Sequence, residues 1–197
     1  MGQRLNVEIK NRGHLLANAY YHWSGYTGTA VCLTMIVLSK ISEDETLRSK
    51  CRDTREYAIR LLEETGAGIS VREREETKKF PRLKQYKIQD AVDRNKGLIA
   101  ITKSGMQETR KWEEARTTVD IGTQKVSFGA CWYMSKDEYA ENYEEGGEEY
   151  ATLPEYDFKP DMTFEEFSAF AEQYQEWYEE LQYAIRLPDG NVIGWIE

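Results

Sequence analysis

The chain has 197 residues, enough for a single domain with a core that needs neither metal nor disulfide. Its composition, 40% hydrophobic and 12% aromatic, argues against a disordered chain despite 31% charged residues. The net charge of −9 is unevenly placed: through Lys111 there are 21 Lys+Arg against 14 Asp+Glu, and from Trp112 onward 5 against 21.

Residues Arg4–Lys10 alternate, with Leu5, Val7 and Ile9 on one side and Asn6 and Glu8 on the other. Asn11-Arg12-Gly13 is a turn signal, so His14–Trp23 returns as the second strand of a hairpin. Its period of two puts Leu15, Ala17, Ala19, Tyr21 and Trp23 on one face, and Leu16, Asn18, Tyr20 and His22 on the other. Gly25 and Gly28 break the strand. Thr27 or Thr29 caps a helix over Ala30–Ile41 that is apolar nearly all round and so central to the core. Ser42 with Glu45 reads as a capping box for a second helix, buried through Leu47, Cys51, Tyr57 (or Ala58), Leu61 and Leu62 and stopped by Gly66 and Gly68.

Val71–Lys96 is polar and basic, with Pro81 interrupting it. It reads as a loop or short helix followed by a helix around Leu83–Val92. Leu98–Thr102 comes next, then a turn at Lys103-Ser104-Gly105 and a long strand or strand pair to Ile121. A hairpin turn at Gly122-Thr123 leads to Lys125–Met134. Ser135 and Glu138 box the start of a short acidic helix, and 144–160 reads as an acidic loop. Thr163-Phe-Glu-Glu166 is a further capping box, starting a helix to about Gln182. Pro188-Asp189-Gly190 turns a final hairpin between Tyr183–Leu187 and Val192–Ile196. These elements describe an α+β fold: a mainly antiparallel sheet with N- and C-terminal hairpins and three to five helices. Residues 1–197 read as one domain, with 137–182 as a possible appended lobe.

The acid is concentrated. Between Asp137 and Glu180 there are 16 carboxylates and one base, Lys159. Glu165, Glu172, Glu176 and Glu179 line one stripe of the predicted helix, and Glu144, Glu145, Glu148 and Glu149 extend the acid into the preceding loop. Carboxylates spaced by helical turns can meet Arg and Lys side chains that normally hold phosphates. The competing reading is an amphipathic helix with a solvated outer face. No D-x-D-x-D-G pattern supports calcium. Cys32, Cys51 and Cys131 contain no CxxC pair and read as buried thiols of a reducing compartment. No metal or cofactor is expected. Met1–Lys10 lacks an apolar signal core, and Ala30–Leu38 is far shorter than the ~18 residues that span a bilayer, so a soluble intracellular protein is expected.

The segment Ala19-Tyr20-Tyr21-His22-Trp23-Ser24-Gly25-Tyr26-Thr27 is the most distinctive string. Asn18, Tyr20, His22, Ser24 and Tyr26 form an alternative ligand site, with polar company for His22 on one strand face. No GxSxG elbow and no second histidine accompany it, so catalysis is not expected. The competing reading is a ring cluster closing the sheet. The basic half is mixed in sign, which disfavours direct nucleic-acid binding. It could instead pair with the acidic half, in cis or in a head-to-tail dimer.

The opening Gly2-Gln-Arg-Leu-Asn-Val-Glu-Ile9, followed by Leu16-Ala-Asn-Ala-Tyr-Tyr-His-Trp-Ser-Gly-Tyr-Thr27, resembles the start of small proteins carried by phages and mobile elements of Gram-positive bacteria. Some of these resemble anti-CRISPR inhibitors of type II Cas9 nucleases. The resemblance covers about 27 of 197 residues and carries over no functional residue. It implies a bacterial cytoplasmic setting and inhibition by binding. The resulting expectation is a non-enzymatic phage-type inhibitor. Its partner would be a basic nucleic-acid-binding protein such as Cas9 with its guide RNA, met through an acidic nucleic-acid-mimicking surface. The alternatives are a small-molecule or nucleotide-binding protein (or enzyme) built around Tyr20–Tyr26, and a scaffold protein that dimerises through its opposite charges.

Overall fold

Strands β1 (Leu5–Asn11) and β2 (His14–Tyr21) form the expected hairpin. Arg12 and Gly13 turn it with φ of 49° and 80°, the left-handed geometry that a tight hairpin demands. Asp120 clamps this turn from another strand. Its carboxylate accepts from Arg12 N (2.8 Å), Gly13 N (2.6 Å), Gly122 N (3.0 Å) and Thr123 N (3.1 Å). Burial raises the Asp120 carboxyl, but these backbone donors outweigh burial and hold it below the usual carboxylate range. The computed structural model describes residues 4–25, 27–43, 45–111, 113–129, 161–180, 184–186 and 192–194.

The strict alternation expected of β2 breaks at a bulge. Ile9 faces Ala17 whereas Lys10 faces Leu15, so Leu16 is the extra residue and packs against the core. From Ala17 onward the alternation holds: Ala17, Ala19 and Tyr21 are buried in the main core, and Asn18 and Tyr20 lie on the opposite face. Trp23 does not continue the strand. It is 42% exposed, and its indole N–H donates to Val92 O at 2.6 Å.

Helix α1 spans Thr27–Glu43 and lies over the sheet, burying Ala30, Val31, Leu33, Thr34, Val37 and Leu38. The Ser42 hydroxyl donates to Ser39 O inside α1 and does not open a new helix. The single helix expected after it is two: α2 (Glu45–Lys50) and α3 (Thr54–Glu64). Asp53 caps α3, accepting from Glu56 N at 2.7 Å. The basic stretch also differs from expectation. Preceded by β3 (Gly68–Ser70), it holds α4 (Arg74–Lys79), in the place of the expected loop or short helix, and then β4 (Gln85–Tyr86) and α5 (Ile88–Arg94), where a helix around Leu83–Val92 was expected. After β5 (Leu98–Ala100), Lys103-Ser104-Gly105 is the first turn of α6 (Lys103–Arg110), not a loop. Thr102 Oγ1 caps it by accepting from Gly105 N at 3.1 Å.

Strands β6 (Ala115–Asp120), β7 (Lys125–Gly129) and β8 (Asp161–Thr163) complete the main sheet. Helix α7 (Phe164–Glu180) follows with its capping box formed in both directions. Glu166 N donates to Thr163 Oγ1 at 3.1 Å, and Thr163 N donates to Glu166 Oε2 at 2.8 Å. The final pair β9 (Ala184–Arg186) and β10 (Val192–Gly194) is antiparallel, as expected. The Ser135 capping box, Cys131 and the acidic loop lie outside the described residues.

The eight strands run in the order β4-β3-β5-β2-β1-β6-β7-β8. The fold is α+β and the sheet mainly antiparallel; β1/β6, β3/β5 and β3/β4 are parallel. There are seven helices among the described residues rather than three to five, because α2, α4 and α6 are too short to show helical periodicity. One sheet face carries the main core, with Leu5, Val7, Ile9, Ile99 and Val119 against α1, α3 and Phe167 of α7. The opposite face is polar near β1 and β2, and α6 lies over it.

Candidate functional site

The polar face is built from alternate residues of β1, β2 and β6. Glu8 is fully buried there. Arg110 Nε of α6 donates to Glu8 Oε1 at 2.5 Å, Thr118 Oγ1 donates to Oε2 at 3.3 Å, and Lys10 lies 3.4 Å away. Asn18 Nδ2 donates to Thr109 Oγ1 (2.7 Å) and Asn6 Oδ1 (3.2 Å); Asn6 Nδ2 donates to Thr109 O (3.1 Å) and Glu113 Oε2 (2.8 Å). Asn18 Oδ1 is buried without a hydrogen-bond partner. These bonds hold α6 over β1 and β2.

Beside α6 the sheet face opens into a cleft of about 340 Å³, within the range of small-molecule sites. Leu98 and Ala100, two residues apart on β5, lie on one sheet face with Tyr20 of β2, paired to Leu98 across the ladder. Ile88 opens α5 on one side and is 42% exposed; Gly105, Glu108 and Thr109 come from α6. Arg4, His22, Ser70, Arg72 and Glu73 complete the lining. Six separate segments thus converge on one concavity.

Glu73 serves the wall itself. It is nearly fully buried and accepts from Ile101 N (3.3 Å), Thr102 N (3.3 Å) and Thr102 Oγ1 (3.0 Å) at the entry to α6. A Cβ on Gly105 would lie 1.8 Å from Glu73 Oε1, so glycine is what lets the carboxylate seat there. Glu108 is engaged by Lys111 at 2.7 Å; the Lys111 ammonium first, and Arg72 more weakly, hold its carboxyl below the usual range. Arg72 is exposed and makes no ion pair among the described residues.

The Tyr20 hydroxyl lies 2.7 Å from His22 Nδ1, and the His22 ring stands edge-on to Trp23 at a centroid distance of 4.7 Å. The Arg4 charge lies beside the Tyr20 hydroxyl. Either group can supply the proton of the Tyr20–His22 bond, the hydroxyl with one imidazole tautomer and Nδ1–H with the other. Burial raises the Tyr20 hydroxyl above the ordinary tyrosine value against the Arg4 charge. Burial and then Arg4 push His22 below the ordinary histidine value.

His22 is accordingly neutral at neutral pH. The unfolded chain takes up this proton more readily than the folded one. The stability tied to neutral His22 is thus present above about pH 6.5 and lost as pH falls through the lower folded value. His22→Gln is expected to show a shallower loss of Tm between about pH 7 and pH 5 than the unaltered protein, in a thermal denaturation series. Parallel slopes would remove His22 from the acid response.

Of the five residues read as a ligand site, Tyr20 and His22 line the cleft. Asn18 lies under α6, bonded to Thr109. Ser24 is buried and exchanges hydrogen bonds with the Asn95 amide (3.1 and 2.9 Å). Tyr26 lies outside the described residues. Sequence reasoning missed Arg4, Arg72, Glu73, Leu98 and Ala100, because long-range strand pairing assembles them. On the acidic side, Glu165 and Glu172 are exposed on α7, which also carries Glu176 and Glu179. Glu144, Glu145, Glu148 and Glu149 lie outside the described residues.

The chain matches no family model, no curated protein and no solved structure. Among the described residues no group of three or more His, Cys, Asp or Glu side chains is placed to hold a metal ion. No helix among them is long and apolar enough to cross a membrane.

Proposed function

We propose that this protein is a binding module for a small anionic molecule seated in the cleft between β5, α5 and α6. The observation that carries this reading is the convergence of Arg4 and Arg72 with the Tyr20–His22 pair around one concavity of about 340 Å³. A planar guanidinium fork matches a carboxylate or phosphate, and Arg72 forms no ion pair among the described residues, feeling the Glu108 carboxylate only weakly. Leu98, Ala100 and Tyr20, nearly fully buried, close the bottom of the cleft, and exposed Ile88 offers the apolar part of the ligand its contact. Nε2 of His22, the ring nitrogen that Tyr20 does not use, adds a polar contact. The cleft's carboxylates serve the wall: Glu73 caps the entry to α6 and Glu108 pairs with Lys111. Binding rather than catalysis fits a site in which the group bonded to His22 is the Tyr20 hydroxyl, which burial holds in its protonated form.

A thermal-shift screen of anionic metabolites tests this. A cognate ligand at a hundredfold excess over its Kd stabilises by about 2.7 kcal/mol, a readily measured rise in Tm. Arg72→Ala, an exposed position, is expected to fold normally and to lose most of that rise. A hit whose effect survives both Arg72→Ala and Ile88→Asp, or a screen without hits, would overturn the reading.

The acid-rich second half supports a separate reading, inhibition of a Cas9-type nuclease by a phosphate-mimicking surface. Exposed Glu165 and Glu172, with the 16-to-1 excess of acid between Asp137 and Glu180, motivate it. Inhibition would then weaken steeply with added salt. Reversing Glu172, Glu176 and Glu179 to Lys is expected to abolish inhibition of DNA binding by the Cas9–guide complex. Undiminished inhibition would remove the α7 stripe from this account.

A further inference from the structure

We infer that the cleft's ligand is a nucleotide, its base lying in the cleft and its phosphates at the Arg72 rim. This deepens the small-molecule reading above and rests on it. Three features separate a nucleotide from other small anions.

The floor comes first. Leu98, Ala100 and Tyr20, all nearly fully buried, form the apolar bottom of the cleft, and Ile88 stands exposed at its side. Ile88 is one of only two large apolar side chains that are markedly exposed among the described residues. An exposed isoleucine beside a cleft with an apolar bottom fits a planar ring that covers it. A small carboxylic acid would leave it in water.

The second feature is the charge outside the slot. Lining residues Arg72 and Glu73 run directly into exposed Arg74, and lining Ile88 is preceded by exposed Lys87, with Lys84 exposed just before β4. The nearest exposed carboxylate on α4, Glu75, is engaged by Lys78 at 3.1 Å. One carboxylate needs one guanidinium. A surplus of exposed cations on the segments that line the cleft suits a chain of phosphates, and a carboxylate would use little of it.

The third feature is the set of hydroxyl and imidazole groups between slot and rim. Ser70 Oγ accepts from Arg72 N at 3.3 Å and keeps its own proton to donate; Nε2 of His22 is the ring nitrogen that Tyr20 does not use. Both can serve a sugar hydroxyl or a base edge. The cleft volume of about 340 Å³ sits at the small end of ligand sites, which favours one nucleotide over a dinucleotide or an oligonucleotide.

The test is calorimetric titration of the full chain with the four common ribonucleoside 5′-triphosphates and monophosphates. The matching nucleosides and sodium tripolyphosphate serve as fragment controls. At least one nucleotide is expected to bind more tightly than both its nucleoside and tripolyphosphate. Arg72→Ala is expected to weaken it about tenfold or more. Ile88→Asp sets a carboxylate at the mouth of an otherwise unaltered fold and is expected to do the same, whereas Lys79→Ala, on the far end of α4, leaves affinity unchanged. Tripolyphosphate binding as tightly as every nucleotide, with no effect of Ile88→Asp, would overturn the inference by placing the contact on the basic exterior. Silence from all nucleotides, alongside other anions whose stabilisation depends on Arg72, would overturn it while leaving the small-molecule reading standing. Silence from both sets would overturn both.

Discussion

Glu8→Ala is expected to lower the unfolding free energy by about 3 kcal/mol, the low end of what a broken buried ion pair costs. Glu8 is fully buried on a central strand and is shared by Arg110, Thr118 and Lys10. Removing it strands positive charge beneath α6. The cost stays near the low end because the Arg110 side chain is 35% exposed and regains water, and Arg116 keeps Glu113. Glu8→Gln keeps the shape and one acceptor and is expected to cost less. Urea denaturation at neutral pH reads both. The pair also reports on the cleft, since α6 supplies Gly105, Glu108 and Thr109 to it and is held to the sheet partly through Arg110. Ligand affinity should fall in step with the loss of stability in the alanine variant. An alanine variant as stable as the unaltered protein would mean that the Glu8 cluster contributes nothing net.

Phe167→Ala carries the second large effect, a loss of about 3–5 kcal/mol. Phe167 is fully buried, its ring 6.1 Å from that of Phe170, in the same core as Val37 and Val126. The alanine would leave a cavity between α7 and the sheet that neighbouring rings cannot fill. This variant bears on function because α7 carries Glu165 and Glu172. An acidic stripe on a helix docked in the main core is a rigid surface, whereas the same stripe on a detached helix would pay an ordering cost before meeting a partner. A Phe167→Ala variant with unchanged stability would mean that α7 does not share the core, and would weaken the acidic-surface reading with it.

Local chemistry was legible where it is self-contained. The Asn11–Gly13 turn, the Thr163/Glu166 capping box and the alternation of Ala17–Tyr21 need only a few adjacent residues and recur in the structure as expected. Ser42 and the Lys103–Gly105 stretch misled for one shared reason. Short polar segments satisfy cap, turn and helix chemistry equally well until packing selects among them. The Thr102 hydroxyl and the Glu73 carboxylate made Lys103–Gly105 a helix entry, and that carboxylate arrives from 29 residues away. The Leu15–Leu16 step was misassigned because a bulge is set by the partner strand, not by the residues that carry it.

The sequence by itself determined an α+β protein with a first hairpin, an apolar first helix, a charge split between its halves, and a polar strand face carrying Tyr20 and His22. Those properties follow from spacing and composition over a few residues at a time. Only the tertiary structure decided that Tyr20 and His22 share a cleft with Arg4, Arg72, Leu98 and Ala100, while Asn18 and Ser24 are drawn off to Thr109 and Asn95. The physical reason is the sheet order. Strand β2 pairs with β5, and β5 with β3, so residues from position 4 to 109 meet on one face through contacts that no local pattern encodes.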